Sequence, residues 1–359
     1  MKIKNILRIY ILLYFALFAW EAQASSETEN VELITYPENA FSKIEKVIRQ
    51  ARKSIDIYAY HLKHLKVVDL LIQKKRENVS IRVIAEHDQY KHAFNKESST
   101  EAYSKLANAG IPIHQKPKYY RKNHPTGHFH AKFILVDNET LLLTSGGFDG
   151  MTFDVCRDLG VILHQKDYST ELREAHNLFL ADWVNQPYRN SSDSSRLIIG
   201  PEGQKEIFHN FLRSAKKSLH VYQQYLNDEM TLKILANAVK KGIKVQVLMM
   251  PFPTSYATDP NFEAQNTMAK ANVDVRLNTN HYVHTKLIIV DEKEAIIGSA
   301  SLSKISLDEN REISFALSGK IVTELLDFFQ KDWNKAHSLD KGRTLALKNK
   351  TDWNRTFNS

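Results

Sequence analysis

The chain is written twice, and this constrains its fold more than any other feature. Ala51-Arg52-Lys53-Ser54-Ile55-Asp56-Ile57-Tyr58 returns as Ala215-Lys216-Lys217-Ser218-Leu219-His220-Val221-Tyr222. Val79-Ser80-Ile81-Arg82-Val83-Ile84 returns at the same offset as Ile243-Lys244-Val245-Gln246-Val247-Leu248. His130-Ala131-Lys132 recurs as His284-Thr285-Lys286, and Phe179, Asp182 and Trp183 recur as Phe329, Asp332 and Trp333. One similar block would be unremarkable. Four in the same order mark a duplication, so the chain should fold as two like units.

Each half carries the same alternation. A basic amphipathic helix (40–53; 202–217) leads into a short β-rich run (55–58; 219–222). A second helix (67–76; 231–241) precedes another strand (81–85; 244–249), followed by two apolar strands around a polar turn (133–136 with 141–144; 287–290 with 295–298). A last helix ends each half near Trp183 and Trp333. Helices alternating with buried strands predict an α/β fold, two α/β/α sandwich halves with mixed sheets. The polar run within 187–195 separates them, giving halves over 25–190 and 196–338 and a polar, basic, peripheral tail over 339–359.

The first 24 residues stand apart. Lys2 and Lys4 give a basic start, Ile9 to Trp20 is unbroken apolar sequence, and Ala22-Gln23-Ala24 is a small-x-small cleavage site. That is the order of a secretory signal, too short to span a bilayer comfortably. The expectation is cleavage after Ala24 and a periplasmic or secreted protein. Removal would also take the net charge from +8 to +6, a mild excess that favours phosphate-rich partners. Cys156 is the single cysteine, which excludes an internal disulfide and a thiolate metal cluster. It stands ahead of the apolar run 159–163 and reads as structural.

The chemistry is concentrated in His-x-Lys-x4-Asp, present as His130, Lys132, Asp137 and again as His284, Lys286, Asp291. Residues two apart on a strand share a face, so each histidine should project beside its lysine. An imidazole and an ammonium side by side do not suit a dry core, because burying them unpaired is costly. Ser145 and Ser299 each lie fifteen residues after a histidine, and Asp158 and Glu312 each lie 28 after. A carboxylate on one imidazole nitrogen fixes the tautomer and frees the other nitrogen for chemistry.

On these residues the chain resembles the phospholipase D superfamily, whose signature is the duplicated His-Lys-Asp motif, over nearly all of residues 30–335. It is similar to exported bacterial members. The resemblance implies two halves packed about a pseudo-twofold axis with both motifs at the interface. One histidine would attack phosphorus and form a phosphohistidine, and the other would protonate the leaving oxygen. His130 takes the nucleophile's part by similarity to bacterial two-motif members, and His284 the other. Lys132 and Lys286 would hold the phosphoryl oxygens; Asp158 and Glu312 would orient the imidazoles; Asp137 and Asp291 would support the strand-turn. Ser145, Ser299 and Asn310 are expected to contact substrate. No cofactor or metal is implied, since two lysines can neutralise charge that magnesium handles elsewhere.

The sequence departs from the family's usual Gly-Ser-x-Asn, reading Thr144-Ser145-Gly146-Gly147 and Gly298-Ser299-Ala300-Ser301, without either asparagine. Asn310 stands two before Glu312, where the first half has Cys156. A zinc site from His124, His128, His130 and His281 is disfavoured, because the phosphodiesterase reading already employs His130. Lys116 to Lys122 is a basic, aromatic segment that reads either as a loop for head groups or stacked bases or as an ordinary exposed loop. The expected activity is hydrolysis of phospholipid phosphodiesters, with transfer to alcohols as an extension. The expected partner is a phospholipid substrate at a membrane surface, with no obligate protein partner. An exported nuclease with nucleic acid as substrate is the alternative. A non-catalytic phosphate- or membrane-binding protein is a third, motivated by the missing asparagines. Cardiolipin-synthase-like transfer ranks lower, for want of a spanning segment after the signal.

Overall fold

The computed structural model describes residues 30–86, 99–189, 194–251 and 260–348. The signal segment, cleavage site and centre of the expected linker therefore lie outside the described residues.

The first half runs β1 (Glu32–Thr35), α1 (Ala40–Gln50), β2 (Ser54–Ala59), α2 (Leu65–Arg76), β3 (Ser80–Ala85), α3 (Ser99–Asn108), β4 (Ile113–Gln115) and α4 (Lys118–Asn123). It continues with β5 (Phe133–Val136), β6 (Thr140–Thr144), α5 (Gly150–Asp154), β7 (Cys156–Arg157), β8 (Leu159–His164) and α6 (Gln165–Trp183). The second half runs β9 (Leu197–Ile199), α7 (Gln204–Arg213), β10 (Ser218–Gln223), α8 (Glu229–Lys240), β11 (Lys244–Met249), α9 (Phe262–Lys270) and β12 (Asp274–Leu277). Then come β13 (Tyr282–Val283), β14 (Lys286–Val290), β15 (Glu294–Gly298), α10 (Lys304–Asp308), β16 (Ile313–Ser318), α11 (Lys320–Trp333), β17 (His337–Ser338) and α12 (Leu339–Lys348).

The sheets repeat the duplication strand for strand. The first has the order β1-β8-β6-β5-β2-β3-β4; the second, read from its matching edge, is β9-β16-β15-β14-β10-β11-β12 with β17 added. Each is mixed: β2, β3 and β4 are parallel, while β5, β6 and β8 are antiparallel neighbours. Helices α1, α2 and α3 cover the outer face of the first sheet, and α7, α8 and α9 that of the second. The two inner faces, with α6 and α11, enclose one apolar core drawn from both halves. The expected α/β sandwiches are present, and a shared core joins them.

The first helix of each half stops sooner than the apolar pattern predicts, at Gln50 and Arg213, for a reason the motif supplies. Asp137 accepts hydrogen bonds from the backbone nitrogens of Arg52, Lys53 and Ser54, at 2.7–2.8 Å. Asp291 accepts from Lys216, Lys217 and Ser218 in the same way. These amides are drawn out of the helix and handed to the next strand. Both aspartates also sit at positive φ (55° and 53°), opening the tight β5–β6 and β14–β15 turns, where Asp tolerates the left-handed conformation. They support the strand-turn, as expected.

The expected peripheral tail is partly corrected. Its first ten residues form α12, packed beside β12, with Arg343 donating to Asn266 at 3.0 Å and Gln265 at 2.7 Å. Leu339 packs against the second-half core, which draws this segment in.

Candidate active site

Each motif is delivered by a strand that leaves its own half. Short β13 pairs in parallel with β7, placing Tyr282 and Val283 beside Cys156 and Arg157, and Phe129 bridges to Arg311 reciprocally. The backbone nitrogens of His130 and Ala131 donate to the carbonyl of Arg311, at 2.9 and 2.8 Å; that of His284 donates to the carbonyl of Arg157 at 3.1 Å. The histidines therefore lie just ahead of β5 and β14, in the crossing segments, and not within a sheet as the alternation implied.

This crossing decides which carboxylate serves which imidazole. His130 Nδ1 lies 3.0 Å from Glu312 Oε2, and His284 Nδ1 lies 3.0 Å from Asp158 Oδ1. Each half thus supplies the acid for the other half's histidine. A carboxylate at Nδ1 leaves Nε2 free, and the two rings meet edge to face, with centroids 6.3 Å apart. Lys132 Nζ donates to the carbonyl of His130 and Lys286 Nζ to that of His284, each at 2.6 Å, so both ammoniums return to the same cleft. Lys286 also donates to Gln224 Oε1 at 3.2 Å.

Burial and charge set the protonation states. Burial, with Lys132 and Lys286 adding to it and Glu312 opposing, holds the His130 imidazole down at about 3. His284 is held at about 4 by burial and the same two lysines, against Asp158. Burial and then repulsion from Lys286 bring Lys132 down to about 7; burial brings Lys286 down to about 8. For the carboxylates, burial acts upward but is outweighed. His130, Lys132 and Ser299 keep Glu312 at about 2, and His284, Lys286 and Ser145 keep Asp158 below its ordinary value. Near neutrality the cleft thus presents two neutral imidazoles, each with a charged acid behind it.

Three residues expected to touch substrate stand behind the carboxylates. Ser145, fully buried, donates its hydroxyl to Asp158 at 2.5 Å, and Ser299 does the same to Glu312. Asn310 donates its amide to Glu312 at 3.1 Å and accepts from the backbone of His128 at 2.9 Å. The expectation is corrected: these side chains orient the acids. Cys156, opposite in kind to Asn310, is buried, and burial with Asp158 and Asp149 pushes its thiol well up. The aromatic segment at 116–122 is likewise committed. Tyr119 binds Asp182 and Arg311, while Tyr120, fully buried, donates to the carbonyl of Glu309 at 2.5 Å. His124 and His128 lie 3.7 Å from Glu309 and Glu86, and burial lowers His281. Among the described residues no group of three or more His, Cys, Asp or Glu could hold a metal ion.

Two arginines escaped the sequence reading. Arg157 and Arg311, each immediately before the catalytic-position acid and each 27 residues after a motif histidine, are buried. Arg157 Nε donates to Asp332 at 2.6 Å, and Arg311 Nε lies 3.3 Å from Asp182. Tyr222 and Tyr58 donate to the same two aspartates. Each repeated aspartate thus takes an arginine from the opposite half, which pins the halves together, while the repeated tyrosine holds it from within its own half. The repeat of Arg-acid at equal spacing was the available signal.

Family comparison agrees with this geometry. The family described as "Cardiolipin synthase, PLD-like domain" matches twice, over residues 44–183 and 208–333. The chain belongs to the phospholipase D superfamily. Cardiolipin synthase 1 of Bacillus cereus is 25% identical, over 86% of this chain and 67% of its own length. The major cardiolipin synthase ClsA of Bacillus subtilis is 24% identical, over 86% and 69%. This phospholipase D-like chain therefore spans about two thirds of these relatives. In fold it is similar to phosphatidylserine synthase from Haemophilus influenzae, with TM-score 0.64, 14% identity and coverage of 91% and 93%. Polyphosphate kinase from Porphyromonas gingivalis gives TM-score 0.61 at 16% identity, over 84% of this chain and 50% of its own. As a superfamily member, the protein is an enzyme of phosphodiester bonds, phosphodiesterase or transferase. No helix among the described residues is long and apolar enough to cross a membrane.

Proposed function

We propose that this chain is a phospholipid phosphodiesterase that works by phosphatidyl transfer, passing the phosphatidyl group through a histidine to an acceptor hydroxyl. The observation that carries the proposal is the crossed pair of His–carboxylate contacts, with two ammoniums turned into one cleft between the two rings. In the first step His284, which takes a proton at Nε2 when the anionic phosphodiester enters between the lysines, gives that proton to the leaving oxygen as His130 Nε2 attacks phosphorus and the P–O bond to the leaving alcohol breaks. In the second, an acceptor alcohol or water surrenders its proton to His284 and attacks phosphorus, and the P–N bond breaks. Splitting the displacement in this way lowers each barrier. Lys132 and Lys286 meet the charge that grows on the phosphoryl oxygens.

Cardiolipin-type transfer, ranked below hydrolysis on the sequence for want of a spanning segment, now ranks above it. The quoted curated relatives are cardiolipin synthases, and the match extends over most of this chain. Phosphatidylglycerol vesicles with added alcohol, and single-stranded DNA, both incubated in chelator, test the proposal. It expects phosphatidyl-alcohol or cardiolipin in excess of phosphatidic acid, and intact DNA. Cleaved DNA with untouched lipid would establish the nuclease instead.

The basic start, apolar run and Ala22-Gln23-Ala24 support export as part of the same proposal. N-terminal sequencing of the exported protein is expected to begin at Ser25, and recovery of the intact chain from the cytoplasm would contradict it.

A further inference from the structure

The catalytic groups obey the duplication, but one wall of the cleft does not. Tyr60 and Gln224 occupy equivalent positions, two residues beyond the repeated Tyr58 and Tyr222, and both are buried. In the first half the Tyr60 ring meets His130 with centroids 5.2 Å apart and nearly perpendicular, and Lys132 Nζ stands 5.5 Å from that ring's centroid. His61 and His128 also approach Tyr60, at 4.5 and 6.0 Å between centroids. In the second half Gln224 instead offers an amide oxygen to Lys286, at 3.2 Å.

We propose that this difference divides the labour between the two histidines: Tyr60 makes His130 the nucleophile, and Gln224 makes His284 the acid–base partner. The argument rests on the proposed transfer through a phosphohistidine and adds what chooses the histidine. A nucleophile must keep its Nε2 lone pair, so its imidazole must resist protonation. An aromatic wall beside His130 keeps water from that imidazole, which disfavours its charged form. The partner must gain a proton when the anionic substrate arrives. An amide oxygen on Lys286 takes up part of that ammonium's field, so an imidazolium on His284 is repelled less. Tyr60 acts through His130 and is a positioning residue.

The test is to locate the covalent adduct. Wild-type protein, Tyr60→Phe and the exchange variant Tyr60→Gln/Gln224→Tyr are each mixed with a short-chain fluorescent phosphatidyl substrate. They are quenched in alkali, where phosphohistidine survives, and the labelled peptides are identified by mass spectrometry. Wild type and Tyr60→Phe, which keeps the ring, are expected to carry the adduct on His130. Most of the adduct should sit on His130. The exchange is expected to move most of it to His284. A wild-type adduct on His284, or a distribution that the exchange leaves unaltered, would overturn the inference. Should the exchange not fold, Tyr60→Gln alone makes the walls alike, and an undiminished preference for His130 would overturn it equally. Absence of any adduct on either histidine would instead remove the transfer mechanism beneath it.

Discussion

Arg157 reaches out of the first half and donates its Nε to Asp332 in α11 of the second, at 2.6 Å, with both side chains buried. Its own carbonyl accepts from the backbone of His284, and the next residue is Asp158, which holds that histidine's imidazole. One arginine therefore ties the seam between halves to the catalytic ring. Arg157 keeps a second, half-exposed partner in Glu38 at 2.5 Å, so loss of its buried partner costs up to about 3–5 kcal/mol. Asp332→Ala should lose that much stability in urea unfolding, while joint replacement by Arg157→Met and Asp332→Leu should lose markedly less. Equal losses would show that packing, and not the orphaned charge, carries the effect.

The crossing of acids predicts an unusual pattern of coupling. Glu312→Gln should lower kcat by on the order of 10²–10⁴-fold, as loss of an oriented acid–base group does. Added to His130→Ala it should do little more, because the two act as a unit. Added to Asp158→Asn, which serves the other ring, it should produce a further loss. Steady-state kinetics of the double-mutant cycles decides this. Coupling of Glu312 to His284 in place of His130 would refute the crossed arrangement.

Much of this site was legible before the fold. The repeated His, Lys and acidic residues were visible because spacing within a half is a property of the chain. So was the supporting role of Asp137 and Asp291. The exchange of acids between halves was not legible, because spacing says nothing about which copy a side chain meets in space. Ser145, Ser299 and Asn310 read from sequence as substrate contacts, since a hydroxyl or amide near a motif reads alike whether it faces the cleft or the back of a carboxylate. Helix ends at Gln50 and Arg213 were misjudged because long-range aspartates, and not local propensity, terminate them. Short elements such as β1, β9 and α12 have too little periodicity to stand out.

Ser145 separates a structural hydroxyl from a substrate contact. Ser145→Ala removes a buried hydrogen bond to Asp158, so a loss of about 1–3 kcal/mol in stability is expected. It should also lower kcat through His284 and leave KM unchanged. A rise in KM at constant kcat would restore the serine to the substrate's surface.

The lysines are held for function at the expense of stability. Lys132 and Lys286 are pushed from 10.5 to about 7 and about 8 in the folded protein. Between pH 7 and 10.5 the unfolded chain therefore holds more protons, and stability rises with pH across that window. The penalty is full below pH 7. Lys132→Met should make the ligand-free protein more stable at pH 7, on the order of 1–4 kcal/mol, and flatten the rise above it, while abolishing turnover. Thermal unfolding from pH 6 to 10 measures both. A variant less stable than wild type at pH 7 would contradict the assignment.

The most direct measurement of the whole account is the stoichiometry of the covalent adduct. Protein quenched in alkali during turnover of a labelled phosphatidyl substrate should carry at most one phosphoryl group per chain, always on a motif histidine. Loss of either His130 or His284 should abolish turnover. Two groups per chain would mean that each half works alone, and a chain that turns over lipid with none would mean that no histidine is the nucleophile.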